Sequence, residues 1–206
     1  MDFVIEPVRK TVKSFMNRVA KDLDKLSGGK ITPNFVTITG LLAHIPIAWL
    51  VATQEYMLAA VLLIIFGLFD TLDGALARQQ KRESNAGMLL DASTDRFKEV
   101  LLYTGAAYSF IGTEFQYFAV WAVAACGASL SVSYVKAKGE TAIAKSKLKT
   151  TEVNRKFQDG FLRFEVRMSL FVIGLIFNIL PFIILVIAIL SAYTAIDRLI
   201  KISKKI

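Results

Sequence analysis

The chain has 206 residues, a formal net charge of +8, and a composition in which 54% of the residues are hydrophobic. Its mean hydropathy of +0.50 is too high for an ordinary soluble domain of this length, so the composition excludes that class and indicates an integral membrane protein. The positive charge could indicate a nucleic-acid-binding protein, but the positions of the basic residues, described below, argue against that function.

The first predicted element is an amphipathic helix over residues 4–27. Its apolar residues recur at spacings of three and four, with lysines and arginines on the other faces; they are Val4, Val8, Val12, Phe15, Val19, Leu23 and Leu26. Such a helix is expected to lie in the cytoplasmic interface of a membrane. Gly28 and Gly29 should end it, and Thr32 should cap the next helix with Pro33 at its first position.

Six apolar segments follow, at about residues 35–53, 56–78, 87–112, 115–136, 160–179 and 181–198. Each approaches the roughly 20 residues needed to cross a bilayer. We therefore predict a single all-α integral membrane domain over residues 1–206. It comprises the N-terminal amphipathic interfacial helix and a core of six transmembrane helices in residues 33–206.

The basic residues are distributed asymmetrically about these six segments. An even number of spans places both termini on one side, and all 25 lysines and arginines fall on that side or in the adjoining span ends. The positive-inside rule then predicts a multi-pass protein of the cell membrane with both termini in the cytoplasm. Basic residues that face anionic headgroups explain the net charge, so we expect membrane lipid as a partner and no nucleic acid.

The cytoplasmic ends of the second and third spans carry four aspartates, namely Asp70, Asp73, Asp91 and Asp95. The first two are three residues apart and the last two are four apart, so each pair shares a helix face. The second span ends near Arg78 and the third begins near Gly87. Because antiparallel neighbours joined by a short connection match in depth, with the deeper pair roughly 12 Å beyond these markers, the four carboxylates should converge.

Four partly desolvated carboxylates repel one another unless they are protonated or divalent cations lie between them. An all-oxygen set favours Mg²⁺ or Mn²⁺ over zinc. The alternative is ordinary pairing with nearby cations, which are Arg78, Arg82, Arg96 and Lys98. Gly74 and Gly87 leave room on the carboxylate face for a bulky, flat group. His44, the only histidine, is predicted to be a helix-packing residue rather than a ligand.

The pattern Asp70-x-x-Asp73-Gly74-x-x-Ala77-Arg78, then eight residues, then Gly87-x-x-x-Asp91-x-x-x-Asp95 resembles the signature of the CDP-alcohol phosphotransferases. All eight signature positions match at the family spacing. The segment ITPNFVTITGLL is similar to the family's Pro-Asn-x-x-Thr entry into the first span. The resemblance implies a membrane homodimer that transfers a phosphatidyl-type group from CDP-diacylglycerol or CDP-archaeol to a hydroxyl acceptor on the cytoplasmic side, with release of CMP.

The resemblance also implies residue roles. The site would hold two divalent ions, Mg²⁺ or Mn²⁺, with Asp70, Asp73 and Asp91 as ligands and Asp95 beside them as general base. Arg78 would steady the cluster and help to offset its charge. The cytidine and its phosphates would contact Asn34, Thr37, Asp70, Asp73, Gly74, Ala77, Arg78 and Gly87.

A group of cations near the fourth and fifth spans suits an acceptor that carries a phosphate; it comprises Lys136, Lys138, Arg155, Arg163 and Arg167. Arg163 and Arg167 are four apart, so they are expected to share a helix face that points at the metal cavity. Interfacial anchoring is the alternative role for each cation. The segment SYVKAKGE is similar to one in the phosphatidyl- and archaetidylinositol-phosphate synthases, although Lys138 stands where that group has arginine.

Inositol 1-phosphate is therefore the leading acceptor, while glycerol 3-phosphate, serine and free inositol stay open. Two other classes of membrane protein use acidic metal sites. An intramembrane prenyltransferase would have more spans and would lack the Gly74, Ala77, Arg78 and Gly87 pattern. A divalent-cation transporter would usually show internal repeats or several subunits, and no internal repeat is visible in the sequence.

Overall fold

The computed structural model describes residues 2–144 and 162–204, and every regular element in these two ranges is an α-helix. The helices are α1 (Asp2–Ser27), α2 (Pro33–Ala52), α3 (Tyr56–Gly67), α4 (Phe69–Gln80), α5 (Asn85–Phe110), α6 (Phe118–Ala144), α7 (Phe164–Ile176) and α8 (Leu180–Ser203). This order confirms the predicted all-α class for the described part of the chain.

The junction between α1 and α2 forms as the sequence predicts. Gly28 and Gly29 have φ values of 58° and 75°, a left-handed conformation that glycine adopts without a steric penalty and that ends many helices. The Thr32 hydroxyl accepts a hydrogen bond from the Phe35 backbone N–H, and Pro33 occupies the first turn of α2. The start of α2, which carries part of the predicted nucleotide site, is therefore fixed by local chemistry.

Four helical segments are long and apolar enough to cross a membrane, so the structure supports a multi-pass membrane protein. They cover residues 33–52, 56–80, 118–142 and 180–203. Among the described residues, the predicted third and fifth spans do not meet these criteria of length and composition. α5 contains five charged residues, namely Asp91, Asp95, Arg96, Lys98 and Glu99. α7 has only 13 residues, because the backbone at Arg163 is still extended.

The predicted second span is interrupted at Leu68, between α3 and α4. The Leu68 N–H donates to the Ile65 carbonyl at 3.3 Å, and the Thr71 N–H donates to the Leu68 carbonyl at 3.1 Å. Hydrogen bonds between residues three apart are those of a tightened 3₁₀ turn, which often marks a functional position in a helix. This turn places Asp70 in the first turn of α4.

α5 lies in the packed core. It packs against α2 and α6, while α8 packs against α6 and α7. Tyr103 of α5 is buried, shares a hydrogen bond of 3.1 Å with the Ser129 hydroxyl, and contacts the ring of Phe171 edge to face at 5.9 Å between centroids. The helix that carries Asp91 and Asp95 is thus held by neighbours in the core.

α1 packs against α4, and this contact divides the apolar stripe predicted for α1. Met16 and Ala20 are buried beside Leu76 of α4, whereas Phe15 is 58% and Leu26 is 87% exposed. One part of the stripe therefore braces the helix that carries Asp70 and Asp73. The exposed part is available to lipid, so the interfacial location of α1 stays a prediction.

The close approach of α2 and α5 leads to a prediction about Gly105. A Cβ atom at this position would overlap the backbone carbonyl of Ala48 and lie 3.3 Å from the Ala48 Cα atom. Because backbone must move to admit it, we expect Gly105→Ala to cost about 1–3 kcal/mol of stability, measured as a lower thermal midpoint in detergent. Gly127→Ala is the control, since a Cβ there would meet no described heavy atom within 4 Å. Equal midpoints for the two variants would contradict the packing described here.

Candidate active site

Three of the four predicted carboxylates come together where α4 meets α5. Asp70, Asp91 and Asp95 are half-buried, and each offers a carboxylate oxygen within 4.8 Å of those of the other two. Asp70 lies in the first turn of α4, whereas Asp91 and Asp95 occupy successive turns of α5. The spacing argument thus correctly brings residues of both helices to one point.

The fourth carboxylate, Asp73, faces α2. It is 5% exposed, and its Oδ2 atom accepts a hydrogen bond of 2.6 Å from the Thr37 hydroxyl. Asp73 therefore lies outside the three-carboxylate group in this structure, although it belongs to the same face of α4 as Asp70. The contact does place Asp73 and Thr37, both predicted to border the nucleotide, side by side.

The predicted nucleotide-binding residues Asn34 and Gly87 also lie together, where α2 and α5 begin. A Cβ atom at Gly87 would lie 3.6 Å from the Asn34 Oδ1 atom and 3.2 Å from the Ser84 hydroxyl oxygen. Ser84 in turn caps α5 by accepting a hydrogen bond of 3.0 Å from the Gly87 N–H. Glycine thus permits a close approach here, and a side chain would have to push Asn34 or the cap aside.

A cavity of about 1340 Å³ adjoins the three carboxylates. Its wall also includes Gly74 and Arg78 of α4, Lys98 of α5 and Arg163 at the start of α7. Apolar side chains line it as well, among them Leu63, Ile64, Phe164, Val166, Val172 and Ile173. A cavity lined by both carboxylates and apolar side chains suits a molecule with a charged head and an apolar tail. Ala77 is half-buried on α4 and does not line the cavity.

Two nearby cations pair with the carboxylates, as the alternative interpretation of the sequence expected. The Lys98 Nζ atom lies 2.5 Å from the Asp70 Oδ1 atom and 3.4 Å from the Asp95 Oδ1 atom. The Arg96 Nη2 atom lies 3.6 Å from the Asp95 Oδ2 atom. Arg82 instead hydrogen-bonds to the Gly29 carbonyl and to Gln80. Ordinary ion pairing thus accounts for part of the charge of the group.

These pairs leave the Asp91 Oδ1 atom buried without a hydrogen-bond partner among the described residues. A buried carboxylate oxygen without a partner is costly, and native proteins rarely leave one. A hard divalent cation such as Mg²⁺ or Mn²⁺ takes carboxylate oxygens as ligands. Asp91, with Asp70 and Asp95 within reach, therefore fits the divalent metal predicted from the sequence.

Arg163 and Arg167 do not share a face towards the cavity, contrary to the expectation from their spacing. Arg163 precedes α7 with an extended backbone and lines the cavity. Arg167 is instead buried, with its Nε atom 2.8 Å from the Glu99 Oε1 atom and its Nη1 atom donating to the Leu162 carbonyl at 2.8 Å. The four-residue rule fails because only Arg167 is inside the helix.

Glu99 is a buried residue that the sequence analysis missed. It pairs with Arg167 and also with Arg96, whose Nη1 atom lies 2.7 Å from the Glu99 Oε2 atom. Arg96 further contacts the Ser133 hydroxyl and stacks over the ring of Phe164 at 4.9 Å. A continuous polar network therefore runs from Asp95 into the core between α5 and α7.

The remaining predicted acceptor residues lie apart from the cavity wall or outside the described residues. Lys136 lies 3.9 Å from Glu140, and Lys138 lies over the ring of Tyr134 at 5.8 Å. Arg155 falls outside the described ranges. The sequence analysis did not single out Arg198, which is buried at the end of α8 and donates to the Val132 carbonyl at 3.3 Å. The only feature of the sequence that could have indicated Arg198 is its position as a basic residue at the end of an apolar segment.

A helical membrane protein whose acidic site opens onto a partly apolar cavity belongs to the class of membrane-embedded enzymes that process polar-headed lipids. The family model described as CDP-alcohol phosphatidyltransferase matches residues 30–196. The chain therefore belongs to this family and is a membrane transferase of phospholipid biosynthesis. This finding confirms the resemblance identified from the aspartate signature.

Individual relatives agree with the family assignment. A phosphatidylinositol phosphate synthase of Cutibacterium acnes is 31% identical over 149 residues, which cover 70% of this chain and 70% of that protein. The crystal structure of the Mycobacterium tuberculosis phosphatidylinositol phosphate synthase with CDP-DAG bound has a TM-score of 0.76 and 24% identity, and covers 91% of this chain and 92% of that one. The same enzyme with manganese and citrate has a TM-score of 0.77 and 23% identity, over 91% and 88%. These structural matches establish a shared fold.

Proposed function

We propose that this protein transfers a phosphatidyl-type group from a CDP-linked lipid to inositol 1-phosphate and releases CMP. The observation that carries the proposal is the group formed by Asp70, Asp91 and Asp95, with carboxylate oxygens within 4.8 Å of one another, beside a cavity with an apolar wall. The name of the Cutibacterium acnes relative supports inositol phosphate as the acceptor over glycerol 3-phosphate, serine and free inositol.

The donor lipid is proposed to lie along the cavity with its nucleotide towards the start of α2 and α5. Asn34, Thr37 and Gly87 would border the cytidine, which is supported by the approach of Asn34 to Gly87 and by the hydrogen bond from Thr37 to Asp73. Gly74 and Arg78 line the cavity beside Asp70 and would contact the diphosphate. The hydrocarbon tails, acyl or isoprenoid, would follow the apolar wall towards the bilayer.

We further propose that the site holds two divalent ions, Mg²⁺ or Mn²⁺, through Asp70, Asp73, Asp91 and Asp95. Bound there, they would supply positive charge to the phosphate oxygens on both sides of the bond that breaks. Asp73 accepts a hydrogen bond from Thr37 and lies outside the three-carboxylate group, so its side chain would have to turn towards the group to join it. Arg78 would offset negative charge at the cavity wall. The solved structure of the relative with manganese supports a divalent metal in this fold.

Asp95 is proposed to be the general base. It would take the proton of the acceptor hydroxyl as the hydroxyl oxygen forms a bond to the lipid-bearing phosphorus and the bond from that phosphorus to CMP breaks. Arg163 lines the cavity and is proposed to contact the acceptor phosphate. The same role for Lys136, Lys138 and Arg155 stays a prediction from the sequence. Arg167 could reach a phosphate only by leaving Glu99.

We propose that α5 and α7 also cross the membrane, which gives the predicted six spans, with α1 in the interface and the whole chain as one domain. Four of the five charged residues of α5 support this arrangement, because they pair inside the protein instead of facing lipid; they are Asp95, Arg96, Lys98 and Glu99. The distribution of lysine and arginine supports cytoplasmic termini and a cytoplasmic active site. Membership of the family is our reason for proposing a homodimer.

The proposal is tested by CMP release from purified protein in nanodiscs. CDP-diacylglycerol and CDP-archaeol are each offered with inositol 1-phosphate, glycerol 3-phosphate, serine or inositol, in Mg²⁺ or in EDTA. We expect release with inositol 1-phosphate that is abolished by EDTA. If CMP is released with another acceptor and not with inositol 1-phosphate, that acceptor is the substrate. If the protein binds Mn²⁺ but neither binds nor cleaves a CDP-linked lipid, the proposed transfer reaction is wrong. The ammonium of Lys98 inside the acidic group disfavours a cation-transit site.

A further inference from the structure

Lys98 is a buried cation that neither the aspartate signature nor the proposed acceptor site includes. It lies on α5, three residues beyond Asp95, and its side chain is 1% exposed. A buried ammonium requires compensation for its lost hydration. Here the compensation comes from carboxylates of two helices, since Nζ contacts Asp70 of α4 at 2.5 Å and Asp95 of α5 at 3.4 Å.

This position puts Lys98 in direct competition with a divalent ion. The Asp70 Oδ1 atom that contacts the ammonium belongs to the same carboxylate that completes the three-membered group. One ammonium also cancels one of the negative charges that would attract a metal. A divalent ion that takes Asp70 as a ligand must therefore displace Lys98 or bind against its charge.

The cavity offers a second anion for Lys98. Its side chain lines the same cavity as Gly74 and Arg78, where the diphosphate of the donor is proposed to lie. Phosphate oxygens are strong hydrogen-bond acceptors for an ammonium, and the flexible four-carbon side chain of lysine allows the ammonium to reach them. Transfer of the ammonium from Asp70 to the diphosphate would free Asp70 for metal.

Two other nitrogen-bearing side chains near the group, those of His44 and Arg96, have partners outside it. The Nδ1 atom of His44, which also lines the cavity, lies 2.7 Å from the Gly40 carbonyl. Arg96 is shared between Asp95, Glu99 and Ser133. Lys98, by contrast, contacts carboxylates of both helices at the point where metal is expected.

We propose that Lys98 couples metal loading to the CDP-linked lipid. In the lipid-free protein its ammonium occupies Asp70 and weakens metal binding, and on donor binding the ammonium moves to the diphosphate so that metal binds tightly. This inference rests on the proposed function, because it takes a diphosphate as the second partner. It makes Lys98 a positioning residue that acts through Asp70.

The test measures Mn²⁺ affinity of the nanodisc protein from the electron paramagnetic resonance signal of free Mn²⁺, without acceptor. Without donor, we expect Lys98→Met to bind Mn²⁺ at least about tenfold more tightly than the wild type, because a charge within hydrogen-bond distance is removed. Lys98→Arg should stay close to the wild type, since it keeps the charge. Lys201→Met removes a lysine from the same cavity wall that pairs with Asp197 at 2.7 Å, and should change the affinity by less than about twofold.

Adding CDP-diacylglycerol provides the second readout. Donor should raise the Mn²⁺ affinity of the wild type by about tenfold or more and that of Lys98→Met by much less. For each protein, the factor by which Mn²⁺ raises the donor affinity must equal the factor by which donor raises its Mn²⁺ affinity. Equal Mn²⁺ affinities for the wild type and Lys98→Met, or an equal gain in Lys201→Met, would overturn the inference.

The design separates this inference from the proposed function. A wild type that releases CMP with inositol 1-phosphate but shows no coupling between Mn²⁺ and donor overturns the role of Lys98 alone, even if Lys98→Met fails to fold. A wild type that binds Mn²⁺ but no CDP-diacylglycerol overturns the proposed function, and the donor-dependent step with it.

Discussion

Replacement of Asp95 by asparagine is expected to lower the rate of CMP release by at least about 100-fold, the lower end of the range for loss of a general base. Asparagine has nearly the same shape and can still accept a hydrogen bond from Lys98, whose Nζ atom lies 3.4 Å from Asp95. It cannot take the proton of the acceptor hydroxyl. The loss should therefore appear in kcat for inositol 1-phosphate, with its KM changed little.

Asp91→Asn is the matched comparison, because it alters the neighbouring carboxylate one turn away on α5. Within the described part of the chain, the Asp91 Oδ1 atom is buried without a hydrogen-bond partner, which fits a metal ligand, so this variant should lose Mn²⁺ affinity as well as activity. Asp95→Asn should lose less Mn²⁺ affinity than Asp91→Asn, because the asparagine amide oxygen can still bind metal, and it should keep its binding of CDP-diacylglycerol. An Asp95→Asn enzyme with a rate within threefold of the wild type would refute the general-base role.

The convergence of Asp70, Asp91 and Asp95 could be predicted from the sequence because it depends on two short-range rules. Spacings of three and four residues fix a shared helix face, and the short connection between α4 and α5 keeps the adjoining ends of the two helices close together. The cap at Thr32 and the glycines after α1 are equally local. The spacing rule has a limit, because it also predicts Asp73 in the group, whereas Asp73 accepts a hydrogen bond from Thr37 of α2.

The contacts of Lys98 and Arg167 could not be predicted in this way. Arg167 pairs with Glu99, which is 68 residues away, and the pair exists only because α5 and α7 pack together. Lys98 has the same spacing from Asp95 as many surface ion pairs, so nothing in the sequence shows that its ammonium turns inward to Asp70. Periodicity indicates a face, whereas the partner on that face is set by tertiary packing.

The predicted third span, α5, does not meet the hydropathy criterion for a membrane-crossing helix, and it is the helix that carries Asp91 and Asp95. α5 carries five charged residues, and these same residues form the carboxylate group and the network behind it, so function dilutes the apolar signal of the helix. Intramembrane charges are tolerated when they pair within the protein, which hydropathy does not measure. The 3₁₀ turn at Leu68 likewise leaves no mark in an apolar run, although it sets the position of Asp70.

The buried pair between Glu99 and Arg167 should have the largest effect on stability. Both side chains are fully buried, so Arg167→Met would leave Glu99 with one cationic partner, Arg96, and would remove the hydrogen bond to the Leu162 carbonyl. Breaking a buried ion pair typically costs about 3–5 kcal/mol. We expect a clearly lower thermal midpoint in detergent, together with reduced activity, because Arg96 also contacts Asp95.

Two further variants show whether the cost comes from an uncompensated charge. Glu99→Leu combined with Arg167→Met removes both charges and should recover a large part of the lost stability, since apolar replacement of a whole buried pair is often close to neutral. Lys201→Met breaks the exposed pair with Asp197 and should cost at most about 1 kcal/mol. If Arg167→Met were no more damaging than Lys201→Met, the network would not hold α7 against α5. Asp95 would then depend on α5 alone for its position.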